Sequence, residues 1–165
     1  MEPLAKKAIR ETLAGIPIRK IMTTRVYSVA DSAELSEAVR LIAEHDLTHL
    51  PVVDTNRKVV GLLSHMYVYK TQAPRKFVEG DMTASSDMVM DGDGFYLKET
   101  LDRYRLKNVM KSEPAMLNQN ESLAVAIHTM ANKRVGCIPI VDDLKNLVGI
   151  ITNQDIISFL AMALT

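Results

Sequence analysis

Thr152 and Asp155 stand three residues apart at the end of the apolar run Gly149-Ile150-Ile151. A hydroxyl followed by a carboxylate at this spacing admits two chemistries. One is local: the hydroxyl caps a helix and the acid favours its first turn. The other is recognition, because a hydroxyl and free backbone N–H groups at a helix N-terminus suit a phosphate. An earlier stretch, Gly61-Leu62-Leu63-Ser64-His65-Met66-Tyr67, has the same frame. It keeps the hydroxyl and puts Tyr67 where the acid would be. One copy with its acid and one without is the main functional clue in the chain.

The other reactive side chains form no catalytic set. His45, Asp46, His49 and His65 lie close in sequence, but their spacing matches no standard ligand set and His49 falls on a predicted strand, so no metal is expected. His128 reads as a solvated helix residue. Asp87, Asp91, Gly92 and Asp93 imitate a calcium loop, yet counting from Asp87 the third position is Val89 and the closing one Lys98. Cys137 reads as a small buried apolar residue with no base beside it. There is no nucleophile elbow, no phosphate-cradling glycine loop with a lysine, and no pair of carboxylates at compatible positions. A non-enzymatic role is expected, with no required cofactor.

Composition narrows the class further. The 165 residues include 47% hydrophobic types, enough for a real core. Lys plus Arg and Asp plus Glu both number 20, which weakens a nucleic-acid reading based on bulk charge. A single cysteine fits a reducing compartment. The start has no signal-peptide core, and no apolar run approaches the roughly 20 residues of a membrane helix. A cytoplasmic protein without a membrane partner is expected. The 10 methionines read as adaptable core packing.

Helical spacing over residues 3–14 puts Leu4, Ala8, Ile9 and Leu13 on one face, with Pro3 at the start and Gly15 as the stop. This helix is expected to cover the body of its own domain. A strand at 26–29 precedes a helix over about 33–45, capped by Asp31 or Ser32. Apolar runs at 49–53 and 59–63 flank the turn Asp54-Thr55-Asn56-Arg57, and Ser64 can cap a helix over about 65–71. Residues 72–104 read as a polar, glycine-containing loop, with Leu97, Leu101 and Tyr104 as a short helix at its end. A strand near 115–117, a helix over 122–133 capped by Asn120 or Ser122, strands at 137–141 and 147–151, and a last helix over 153–163 complete the chain.

These elements repeat. A displacement of 88 residues carries Met22 to Met110, Pro51 to Pro139, Asp54 to Asp142 and Gly61 to Gly149 without a gap from Ile18/Leu106 to Val68/Ile156. The fold class is therefore α/β of the α+β kind. Two pseudo-symmetric β-α-β-β-α repeats pack as one module, because neither is large enough to bury its apolar face alone. The expected organisation is an N-terminal helix (1–15), repeat 1 (16–71), an inter-repeat loop (72–104) and repeat 2 (105–165).

The openings Ile-Met-Thr (21–23) and Val-Met-Lys (109–111), the strands Leu-Pro-Val-Val-Asp and Ile-Pro-Ile-Val-Asp, and the Gly-x-x-Ser/Thr-x-x-Asp end resemble a tandem pair of cystathionine β-synthase (CBS) domains, a Bateman module. The resemblance implies a regulatory module whose cleft takes an adenosine-containing ligand such as AMP, ADP, ATP or S-adenosylmethionine. It implies that Asp155 accepts from ribose hydroxyls, that Thr152 and Asn153 meet a phosphate, and that Met116, Leu117, Ile138 and Pro139 line the base pocket. His49 stands where relatives carry a basic phosphate partner. Tyr67 and Cys137 leave the other site without its acid and its base. A homodimer formed through helices is implied, with a regulated protein partner. The alternative is a dimerisation or interaction module that needs no ligand.

Overall fold

The computed structural model describes residues 3–65, 88–91, 94–97 and 105–164. In chain order the elements are α1 (Pro3–Ala14), a 3-10 turn (Ile18–Lys20), β1 (Val29–Ala30), α2 (Leu35–Glu44), β2 (His49–Val53), β3 (Val59–Ser64), β4 (Met88–Asp91), β5 (Gly94–Leu97), α3 (Leu106–Val109), β6 (Lys111–Ser112), β7 (Leu117–Asn118), α4 (Leu123–Lys133), β8 (Cys137–Val141), β9 (Leu147–Thr152) and α5 (Asn153–Ala163). Tyr67, the helix expected beyond His65, and Leu101 and Tyr104 lie outside the described residues.

The chain forms two compact units. One, here the first-repeat unit, is Tyr27–Glu113; the other, the second-repeat unit, joins Met1–Val26 to Pro114–Thr165. Each unit therefore holds the body of one repeat and the opening segment of the other. In the second-repeat unit, Ile18 is fully buried among Leu123, Ala126, Ile138, Ile140 and Ile151. In the first-repeat unit, Leu106 and Val109 join Leu35, Val39, Ile42, Leu50 and Leu63.

Backbone pairing repeats at the same 88-residue displacement. β1 runs parallel to β2 through Val29 and Val52, and β7 runs parallel to β8 through Leu117 and Ile140. β2–β3 and β8–β9 are antiparallel hairpins in matching register, from His49 opposite Ser64 and from Cys137 opposite Thr152. The opening segment then adds an edge: Lys111 pairs with Leu62 in one unit, and Thr23 with Ile150 in the other. The glycines of the repeat motif sit beneath these edges. A Cβ on Gly149 would lie 2.7 Å from Met22 Sδ and 3.0 Å from the Thr23 carbonyl oxygen; one on Gly61 would meet the side chain of Met110. Only glycine lets the methionine lie flat on the strand.

The motif acids Asp54 and Asp142 close the hairpin turns. Asp54 Oδ1 accepts from the backbone N–H of Asn56 and Lys58 at 2.8 and 2.9 Å. Asp142 Oδ1 accepts from those of Leu144 and Asn146 at 2.9 and 2.8 Å. These turns hold Arg57 and Lys145 at positive φ, 62° and 66°.

Several expectations change. The hairpin β4–β5 replaces part of the expected loop, and β4 packs against α2. The first strand is Val29–Ala30 rather than 26–29. The N-cap of α2 is Glu34, without a side-chain cap bond, so neither Asp31 nor Ser32 takes that role. Ser122, not Asn120, caps α4, accepting from Val125 N. The helix α1 packs on α4, within the unit that joins Met1–Val26 to Pro114–Thr165.

Candidate functional site

In the second-repeat unit the strand β9 ends directly in α5, with Thr152 as the N-cap in extended conformation. Thr152 Oγ1 accepts from Asp155 N at 3.2 Å, and Asp155 Oδ2 accepts from Thr152 N at 2.7 Å. This reciprocal capping box satisfies two backbone donors that a helix start otherwise leaves open. The Thr152 hydroxyl also donates to Oδ2 at 2.6 Å. The other carboxylate oxygen, Oδ1, accepts one hydrogen bond, from the Thr23 hydroxyl at 3.2 Å.

Thr23 is the site residue that sequence reasoning missed. Its signal was present in the Ile-Met-Thr opening, but its partner lies 132 positions away. Backbone pairing with Ile150 carries it to the site, with Thr23 N donating to Ile150 O at 2.9 Å and Ile150 N to Thr23 O at 3.0 Å.

Strand alternation sorts the remaining residues. Ile138, Ile140 and Ile151 face the core, so Ile138 is fully buried there. Pro139, Ile150, Thr152 and Cys137 take the opposite face, joined by the register pairs Pro139–Ile150 and Cys137–Thr152. Leu117 is buried in the same core as Ile138, whereas the neighbouring Met116 is 38% exposed. Of the candidate base-pocket residues, Met116 thus presents side chain to solvent, and Leu117 and Ile138 have theirs packed inside. Asn153 is exposed at the first turn of α5, its backbone N–H donating to Gly136 O at 3.0 Å.

A model of one family matches residues 18–71 and again 106–162, and its description is the CBS domain. The chain belongs to the CBS-domain family. Among solved structures, this CBS-domain chain is similar to CBSX2 in complex with AMP, at 20% identity and a TM-score of 0.69 over 92% of this chain and 100% of that one. It is also similar to the CBS domain pair of protein MJ0100 in complex with 5-methylthioadenosine and S-adenosyl-L-methionine, at 20% identity and a TM-score of 0.65 over 89% and 97%. Among curated relatives, homoserine O-acetyltransferase of Methanohalobium evestigatum is 23% identical over 84% of this chain and 23% of its own length. L-aspartate semialdehyde sulfurtransferase of Methanocaldococcus jannaschii is 22% identical over 84% and 22%. The chain spans about a quarter of the length of these relatives.

Two repeat-equivalent positions, His49 and Cys137, differ electrostatically between the units. Cys137 is buried, and burial, followed by the negative charge of Asp155, pushes its thiol up to about 12. It stays a protonated thiol at neutral pH and is no nucleophile. The equivalent residue in the first-repeat unit is His49, partly buried beside Ser64. Burial lowers its pKa, so its imidazole is neutral at pH 7. Thr48 Oγ1 lies 3.0 Å from its Nδ1. The other histidines do not gather on a metal. His45 stacks on Tyr27 with ring centroids 3.9 Å apart, and among the described residues no three His, Cys, Asp or Glu side chains are placed to hold an ion. No helix among them is long and apolar enough to cross a membrane.

Proposed function

We propose that this chain is a non-catalytic regulatory module that senses an adenosine-containing small molecule at Thr152 and Asp155. The observation that carries the reading is the state of the Asp155 carboxylate. Oδ2 is committed to the capping box, while Oδ1 has one bond, from an exposed threonine hydroxyl. A carboxylate oxygen has two lone pairs, so Oδ1 retains acceptor capacity for a ribose hydroxyl. Thr152 and Asn153 bring the first turn of α5, where partial positive charge favours a phosphate. Pro139 and Ile150 give an apolar floor on the same sheet face, with Met116 beside it. The AMP and S-adenosylmethionine complexes of structurally similar CBS pairs support the ligand class. Ligand binding would act by favouring one conformational or assembly state of the module over another. Its output is a contact with a second copy or with a regulated protein.

The capping box favours a second reading, a ligand-independent interaction module in which Thr152 and Asp155 only hold α5 in place. Calorimetric titration with AMP, ADP, ATP, S-adenosylmethionine and cyclic dinucleotides separates the two. The sensor reading expects at least one adenosine compound to bind and Asp155→Ala to weaken it tenfold or more, about 1.4 kcal/mol. Absence of binding by all of them would establish the second reading. Binding that Asp155→Ala leaves unchanged would move the site elsewhere.

A further inference from the structure

Hydrogen-bond donors are scarce where β9 runs into α5. The N–H of Thr152 is bonded to Asp155 Oδ2 at 2.7 Å, that of Asn153 to Gly136 O at 3.0 Å, and that of Asp155 to Thr152 Oγ1 at 3.2 Å. Of the N–H groups from Thr152 to Asp155, only that of Gln154 has no acceptor among the described residues. Both nearby hydroxyl protons are engaged too, Thr152 donating to Asp155 Oδ2 at 2.6 Å and Thr23 to Oδ1 at 3.2 Å. The exposed Asn153 side-chain amide adds one neutral donor group.

Acceptor capacity is plentiful by contrast. Asp155 Oδ1 accepts one bond, the Thr152 hydroxyl oxygen accepts one from Asp155 N, and the Thr23 hydroxyl oxygen accepts none among the described residues. Each such oxygen has two lone pairs, so all three have room. The site is also negative. Burial, and after it the charge of Asp155, holds the Cys137 thiol protonated opposite Thr152. His49, the phosphate partner that the family resemblance offers, is kept neutral at pH 7 by burial.

We propose that the Thr152–Asp155 site selects an adenosine whose 5′ substituent is neutral or positively charged, a thioether or a sulfonium, over one that carries phosphate. The inference rests on the adenosine reading above and names the ligand class within it. Ribose hydroxyls donate, and the open lone pairs of Asp155 Oδ1, Thr152 and Thr23 can accept them. A phosphate brings only acceptors and negative charge. It would find the Gln154 N–H and the Asn153 amide, both neutral, and would lie in the field of the Asp155 carboxylate. The partial positive charge at the start of α5 persists, but the carboxylate of the capping box already offsets it. A sulfonium carries the sign of charge that Asp155 attracts.

The test titrates the full chain calorimetrically with methylthioadenosine, S-adenosylmethionine, AMP and ATP in one buffer at neutral pH. The parent chain should bind methylthioadenosine at least tenfold more tightly than AMP, with ATP no tighter than AMP. Asp155→Asn keeps an oxygen for the capping box and removes the charge. Both affinities should fall, and the ratio between them should narrow at least threefold. A ratio that Asp155→Asn leaves unchanged overturns the inference. AMP bound as tightly as methylthioadenosine by the parent chain also overturns it, and leaves the adenosine reading in place. Arg25→Ala then shows whether that exposed cation, unpaired among the described residues and two positions from Thr23, holds the phosphate. Failure of every compound to bind overturns the adenosine reading and this inference with it. The comparison in the parent chain decides the matter even where the variant does not fold.

Discussion

Met22 lies across Gly149, its Sδ 2.7 Å from where a Cβ would stand. The two residues belong to different repeats, and their equivalents Met110 and Gly61 make the same contact in the other unit. The motif glycine and the motif methionine are therefore one device. Each repeat hands its opening segment to the other repeat's strand, and the pairing of Thr23 with Ile150 follows from it.

Gly149→Ala should destabilise the chain by about 1–3 kcal/mol, the range for forcing a methyl into a packed site. Gly61→Ala should cost less. Its Cβ would meet only the flexible Met110 side chain, whereas that of Gly149 would also lie 3.0 Å from the Thr23 backbone oxygen. Adding Met110→Ala should relieve the steric part of Gly61→Ala, and adding Met22→Ala should leave part of the Gly149→Ala strain in place. Urea unfolding of the four variants checks both differences. Equal losses for the two glycine variants would show that the backbone contact is unimportant.

Asp155→Ala removes both the capping-box acceptor and the Thr23 contact, and should cost about 1 kcal/mol. For a chain of this size that is a fall in Tm of about 2–4 °C. Asp155→Asn retains an oxygen for Thr152 N–H and should lose less than half of that. Thr23→Ala should leave the capping box intact and melt close to the parent. Thermal denaturation of the three variants without ligand measures the structural share of Asp155. Any further loss of nucleotide affinity in Asp155→Asn then reports recognition rather than folding.

The repeat made most elements of the second half legible. The strand at 137–141 and the helix at 153–163 occur at those residues as β8 and α5. Apolar periodicity is a local signal, and these elements are locally determined. The exchange of opening segments was not legible, because an 88-residue displacement identifies equivalent residues without saying which copy each packs against. The hairpin β4–β5 has its own local signal, Met88-Val89-Met90 and Phe95-Tyr96-Leu97 on either side of Asp91-Gly92-Asp93-Gly94, but the polar residues around it, such as Thr83-Ala84-Ser85-Ser86-Asp87, made the whole stretch read as a loop. At the site, the spacing of Thr152 and Asp155 announced a helix start, and the capping box is its literal outcome. Thr23 could be reached only through the tertiary pairing.

Lys145 holds φ at 66° in the turn closed by Asp142, and left-handed backbone costs a residue with a Cβ roughly 1–2 kcal/mol. Lys145→Gly should remove that strain. Glycine's greater freedom in the unfolded chain offsets part of the gain, so a net stabilisation of about 0.5–1 kcal/mol is expected. Arg57→Gly, at the equivalent turn with φ of 62°, should do the same, and the two gains should add because the turns lie in separate units. Chemical denaturation of the single and double variants is the check. A loss of stability would mean that the side chains contribute more than the backbone strain removes.

His49 gives the chain an acid-sensitive step. Burial lowers its pKa in the fold below the ordinary value of 6.5. The unfolded chain therefore binds this proton more readily than the folded one. In the interval between the two pKa values, stability rises with pH. The contribution is fully present above 6.5, where the imidazole is neutral in both states, and declines as pH falls below 6.5 towards the lower folded value. His49→Gln keeps a polar side chain of similar length and removes the titration. Stability curves of the parent and His49→Gln, measured from pH 7.5 down to 5, should diverge below about 6.5, with the parent losing more. Parallel curves would place His49 in an environment no less solvated than that of the unfolded chain, and would remove the neutral imidazole from the account of the first-repeat unit.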